Sequence, residues 1–182
     1  MAKQNIFKRL FGGKDIADTL VKGKYHLQSY MRGRGAEPLE AHFIKMHYDA
    51  VLPKAAHPDA LTGDTGYDLV SVEDAVVPAK GSVVVPVGLK LAFLTPGFWF
   101  KIQGRSGLGF KNGLQPHLGV IDNGYRGDLG VKLYNFSDVD CTLPKGKAIA
   151  QIVFYPLIQP AMLWTVTADE TKRGEGGFGH TG

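Results

Sequence analysis

Between Gly119 and Asp128 the chain places a carboxylate, Asp122, at the end of an apolar run. Asn123 and Gly124 follow it, and an aromatic residue, Tyr125, stands three positions beyond the carboxylate. Asn-Gly is a strong two-residue signal for a tight hairpin, because both positions accept φ > 0 at little cost. A hairpin tip here would hold the Asp122 carboxylate and the Tyr125 ring beside exposed strand backbone. At the far end of the chain, residues 173–182 keep one arginine, Arg173, and one phenylalanine, Phe178, among five glycines that include Gly179. Such a composition forms no stable element alone, and it suits a flap that closes on an anion and a flat ring.

The elements that must position these groups read as strands. From His42 onward, short apolar or alternating runs are each closed by Gly, Pro or Asp: Phe43 to Tyr48, Tyr67 to Val70, Val83 to Val85, Val87 to Phe93, Phe98 to Gln103, Leu118 to Ile121, Leu129 to Tyr134, Ala148 to Tyr155 and Met162 to Val166. This rhythm predicts an all-β sandwich or barrel. Pro78, Pro86, Pro96, Pro144, Pro156 and Pro160 fall at the ends of runs, where a missing N–H costs no ladder bond. One short helix is expected after Ser106, around Leu108 to Lys111.

Charge separates this body, residues 42–172, from what precedes it. Residues 1–41 hold eight Lys or Arg against four Asp or Glu, and the rest of the chain holds thirteen of each, so the net charge of +4 lies in the N-terminal extension. A neutral body argues against a broad nucleic-acid face, while a small anionic ligand needs only a few focused cations. In the extension, Ile6, Phe7, Leu10 and Phe11 recur at helical spacing, Ile16, Leu20 and Val21 could begin a second helix, and Arg32 to Gly35 reads as flexible chain. One cysteine, Cys141, excludes an intrachain disulfide framework and a Cys-based zinc site, which fits a reducing compartment. No apolar run reaches the length of a bilayer span and no secretory leader is evident, so the chain reads as soluble and cytoplasmic, or resident in host cytoplasm if viral.

Five stretches occur in a fixed order: Asp64 to Leu69, Gly104 to Leu108, Gly119 to Gly127, Ala148 to Gln151 and Arg173 to Gly182. Together they resemble the five motifs of the trimeric dUTP pyrophosphatases, the dUTPases, over residues 43–182. That resemblance implies a jelly-roll-like β-fold and a homotrimer in which each active site draws on more than one subunit, with residues 173–182 as a lid over a neighbour's site. It implies Mg2+-dependent hydrolysis of dUTP to dUMP and pyrophosphate, which keeps uracil out of DNA and supplies dUMP for thymidylate synthesis.

By the same resemblance, Asp122 is the general base that activates water, and Tyr125 lies against the deoxyribose where a 2′-hydroxyl would collide. Main chain at Val120 and Ile121, and around Gly130, would read the uracil edge. Arg105, Ser106, Gly107 and Gln151 would hold phosphates, Arg173 would reach the γ-phosphate, and Phe178 would stack on uracil with Gly179 beside it. Asp68 would reach Mg2+ through water only, the metal being chelated by the triphosphate.

The chain departs from the family pattern at three places. Ala148 stands where an Arg usually opens the fourth motif, with Lys147 just before it; His180 replaces a Ser; and Pro116 occupies a position that is Asn in some members. Altered phosphate contacts are expected, and activity is expected to persist. Two other readings differ in their requirements. The related dCTP deaminases would need a Glu ten residues after the hairpin Asp, where this chain has Lys132. A nucleotide-gated regulatory protein would use the same body as a switch and the basic extension as its contact surface for a partner.

Overall fold

The computed structural model describes residues 39–59, 62–172 and 174–175. The helical turns expected at 6–21 and the flexible chain at 32–35 lie outside the described residues, as do Arg173, Phe178, Gly179 and His180. Ten strands run in chain order: β1 (Ala41–Lys45), β2 (Tyr67–Val70), β3 (Ala75–Val77), β4 (Ser82–Leu94), β5 (Phe98–Gln103), β6 (Leu114–Pro116), β7 (Val120–Ile121), β8 (Asp128–Asn135), β9 (Cys141–Leu143) and β10 (Ala148–Pro156). Among the described residues, one helix, α1 (Ser106–Asn112), follows β5.

The strands form two four-stranded sheets, ordered β1-β4-β8-β6 and β2-β10-β5-β7, and a small β3-β9 ribbon. All the pairings are antiparallel. Alternation decides what faces inward. In β8, Leu129, Val131, Leu133 and Asn135 are buried while Asp128, Gly130 and Lys132 are exposed; in β5, Phe98, Phe100 and Ile102 are buried. The inner faces of both sheets meet in one core, where the Phe43 ring of the first sheet lies 6.5 Å from the Phe100 ring of the second. Each fully buried Val, Leu, Ile or Phe contributes about 1.5–3 kcal/mol, so this shared core is what fixes the sheets face to face. The expected all-β architecture, sandwich or barrel, is observed as two facing antiparallel sheets.

Several local expectations are corrected. Val83 to Val85 and Val87 to Phe93 belong to the single strand β4, and Pro86 lies within it. The proline is tolerated because pairing with β8 breaks there, resuming at Leu89 after two unmatched residues. Met162 to Val166 forms no strand: with no neighbouring strand to pair with, its side chains stand exposed. The Asn123-Gly124 hairpin is also not observed. Tyr125 N–H donates to Asp122 O at 3.0 Å, closing a four-residue turn, but neither Asn123 nor Gly124 has positive φ. The flanking strands join different sheets, β7 pairing with β5 and β8 with β4, so the twist match that demands positive φ in a two-residue hairpin does not apply.

Candidate active site

Register across the second sheet assembles the first half of the site. Gln151 of β10 stands opposite Asp68 of β2 on one side and Gln103 of β5 on the other. Directly opposed residues share a sheet face, so Asp68 and Gln151 project together, with Arg105 two residues past Gln103. Arg105 Nε lies 2.9 Å from Asp68 Oδ1, and its Nη1 donates to Ala148 O at 3.2 Å. Gln151 Nε2 donates to Gly104 O at 2.8 Å, and its Oε1 lies so close to Gly66 that any Cβ there would fall on it. These contacts lock the Asp64 to Leu69, Gly104 to Leu108 and Ala148 to Gln151 stretches together.

They enclose an open cavity of about 390 Å³ lined by Ala56, Asp64, Thr65, Gly66, Asp68, Arg105, Ser106, Gly107, Gln151 and Val153. Helix α1 starts at Ser106 with Arg105 as its N-cap, so its first N–H groups, without intrahelical acceptors, lie at the cavity wall. A Cβ built on Gly107 would meet nothing within 4 Å, so protein packing leaves that space open. Asp64 receives the His57 main-chain N–H at 2.9 Å and lies 3.1 Å from the His57 ring nitrogen Nδ1. These two contacts, the main-chain one the larger, hold the Asp64 carboxyl below its usual range. With a guanidinium, a hydroxyl, open main-chain donors and two carboxylates, the cavity has the means to hold a polyanion together with a cation.

The second half of the site is elsewhere. Asp122 and Tyr125 do not line this cavity. The Asp122 side chain is exposed and has no hydrogen-bond or ion-pair partner among the described residues, leaving it free to accept a proton. Tyr125, 41% exposed, donates its hydroxyl to Asp128 O at 3.0 Å, and its ring packs against Gly127 so closely that a Cβ there would strike the phenol. Arg126 Nη1 donates to Asn123 O and Tyr125 O, both at 2.7 Å, capping the turn from outside. Val120 and Gly130 are exposed and Ile121 half-buried, with Val120 and Ile121 paired to β5 and Gly130 opposite Pro86.

The structure thus groups Asp68, Arg105, Ser106, Gly107 and Gln151, and leaves Asp122, Val120, Ile121, Tyr125 and Gly130 outside that group. Two features were not anticipated from sequence. Asp68 is engaged with Arg105, and Asn123 reaches far beyond its own turn. Of the departures, Ala148 contributes its carbonyl to Arg105, Lys147 does not line the cavity, and Pro116 is buried opposite Leu133.

Comparison with known proteins identifies the family. The dUTPase family model matches residues 53–182. The mitochondrial deoxyuridine 5′-triphosphate nucleotidohydrolase of Dictyostelium discoideum is 41% identical over 138 residues, covering 76% of this chain and 74% of the relative. A variant of the Staphylococcus bacteriophage 80alpha dUTPase, solved with dUpNHpp, shares the fold with a TM-score of 0.70 at 23% identity, over 79% of this chain and 98% of that one. A variant of the phage phi11 dUTPase, described for its coordination of a structural Mg(II) ion, has a TM-score of 0.63 at 20% identity, over 72% and 99%. A family model spanning most of the β body, with a relative this similar over three quarters of the chain, establishes that the protein belongs to the dUTPase family.

Proposed function

We propose that the chain hydrolyses dUTP to dUMP and pyrophosphate, with Asp122 as the general base. Asp122 takes a proton from a water whose oxygen attacks the α-phosphorus. The new P–O bond forms as the bond to the α,β-bridging oxygen breaks, and pyrophosphate leaves. A carboxylate on a fixed turn suits this step because it can accept a proton and has no competing hydrogen-bond partner among the described residues. Tyr125, braced over Gly127, places its ring against the sugar, where a ribonucleotide's 2′-hydroxyl would clash. Main chain at Val120, Ile121 and Gly130 reads the uracil edge, and a cytosine would leave those groups unpaired.

Arg105, Ser106, Gly107 and Gln151 hold the phosphates, and Arg173, Phe178 and Gly179 close the site over the γ-phosphate and the base. Among the described residues no group of three or more His, Cys, Asp or Glu is placed to hold a metal ion. Asp64 and Asp68 on the cavity wall fit an Mg2+ that takes its inner ligands from triphosphate oxygens and water, and Asp68 reaches it through water. Mg2+ when bound neutralises phosphate charge.

The observation that carries this reading is the division of the site. The cavity proposed for the phosphates is lined by residues of one chain, and Asp122 and Tyr125 are not among them. A homotrimer supports both facts, each site pairing the cavity of one subunit with the Asp122 turn of another. Exposed Ile158, Met162, Leu163, Trp164 and Val166 supply apolar surface for a neighbouring copy. Deamination of dCTP is disfavoured, because Lys132 stands at the position that chemistry needs as a carboxylate and its Nζ lies over the Tyr134 ring at 5.3 Å. No helix among the described residues is long and apolar enough to cross a membrane. We place the protein in the cytoplasm, with residues 1–41 as an extension, 42–172 as the catalytic body and 173–182 as the lid.

The test is pyrophosphate release with Mg2+ from dUTP, UTP, dCTP and dTTP in parallel, on wild type and Asp122→Asn. Turnover of dUTP far above the other three, with a loss of about 10³-fold or more in the variant, is expected. Comparable rates on dCTP, or a fully active variant, would overturn the reading.

A further inference from the structure

Asn123 follows the proposed base directly, and its side chain makes contacts that a turn does not require. Its Nδ2 donates to three main-chain carbonyls of the connection between β4 and β5: Leu94 O at 3.2 Å, Thr95 O at 3.0 Å and Phe98 O at 2.9 Å. Those residues lie 25 to 29 positions earlier in the chain. The connection is itself anchored. Thr95 is buried, its N–H donates to Glu40 O at 2.9 Å, and its Oγ1 accepts the Glu40 N–H at 2.8 Å. The turn is therefore fastened at its centre to a buried part of the body, while the Asp122 carboxylate beside it has no hydrogen-bond or ion-pair partner among the described residues.

We propose that Asn123 is a positioning residue for dUTP hydrolysis: its carboxamide clamps the Asp122 turn to the Leu94–Phe98 connection and so sets where the base meets water. The inference rests on the assignment of Asp122 given above. Three converging carbonyl oxygens require a donor, and a carboxylate offers only acceptors when ionised. Asn123→Asp, nearly identical in shape, therefore reverses the interaction, and the turn must move away. The phosphate contacts should survive, because they come from residues of β2, β10 and the β5–α1 junction, whereas the base and sugar contacts of Val120, Ile121 and Tyr125 shift with the turn.

The experiment measures kcat and KM for dUTP, and the affinity for the non-hydrolysable dUpNHpp, on purified full-length wild type, Asn123→Asp and Asn123→Ala. Asn135→Ala serves as a control for destabilisation, since its amide bonds only Val77, Ser137 and Val139, none of them assigned to either half of the site. Asn123→Asp is expected to lower kcat by about 10- to 100-fold, the scale on which ångström misplacement acts, with KM and dUpNHpp affinity each changing by less than kcat does. Asn123→Ala, which removes the donor without adding charge, should fall between that variant and wild type, and carries the test if the carboxylate variant does not fold. A kcat within about twofold of wild type, a loss residing wholly in KM, or an equal kcat loss in folded Asn135→Ala would overturn the clamp. A wild type inert toward dUTP, or a fully active Asp122→Asn, would instead overturn the functional reading itself.

Discussion

The cavity around Arg105 and the turn around Asp122 are built on opposite plans. At Arg105 the principal polar side chains are already engaged by their own chain: the guanidinium by Asp68 and Ala148 O, the Gln151 amide by Gly104 O. At the turn, the supports are equally firm, but they hold the backbone and the Tyr125 hydroxyl and leave the carboxylate bare. In the homotrimer proposed above, one region would receive charge and the other would deliver a base to a neighbouring subunit's cavity.

The sharpest way to break that contrast is to damage each half in a different chain. Asp122→Asn and Arg105→Ala homo-oligomers should each be nearly inactive. Refolded together at equal amounts, they should recover roughly a quarter of wild-type activity, because random mixing pairs an intact cavity with an intact turn at that frequency. Recovery no greater than the sum of the separate enzymes would place both halves of each site in one subunit.

A smaller effect is expected from Gly127→Ala, whose added Cβ lands on the Tyr125 phenol. Lifting the ring should lower discrimination between dUTP and UTP by roughly tenfold while dUTP turnover falls less, as read from the two kcat/KM values. An unchanged ratio would remove the ring from sugar selection.

Asn135 sharpens the comparison from the side of stability. Its Nδ2 donates to Val77 O and Val139 O, and its Oδ1 accepts from Ser137 N–H and Oγ, all in a buried setting. Asn135→Ala should cost about 2–4 kcal/mol in denaturant unfolding, with kcat per folded molecule unaltered. The smallest effect belongs to His57→Ala. Asp64 titrates below its ordinary value, so its contribution is present above the unfolded carboxyl value near about 3.9 and is lost as pH falls through the lower folded one. Removing the ring leaves the main-chain donor, the larger cause, so NMR titration should find the carboxyl still depressed, and the midpoint at neutral pH barely moved.

Particular residues show how far sequence carried. β2 and β5 were legible to the residue, because Tyr67–Val70 and Phe98–Gln103 are runs with clear ends. β3, β6 and β9 are three residues each, too short to display a period. Met162 to Val166 shows the opposite failure, since strand propensity is realised only against a partner strand. In the site, the grouping of the first, second and fourth motifs follows their order and chemistry. The Asp68–Arg105 pair, the Asn123 clamp and the divergence of β7 and β8 into separate sheets depend on distant chain segments, and no local pattern encodes them.

The Asp68–Arg105 contact also governs what the cavity will accept. With a carboxylate on one edge of its guanidinium, Arg105 meets an incoming anion as a partly neutralised cation, so a lone inorganic phosphate must compete with a tenant already in place. A chain of linked phosphates gains from several donors at once and can outbid that tenant. If Arg105 holds phosphate as proposed, the resident acid would filter by valency, favouring nucleotide over simple phosphate.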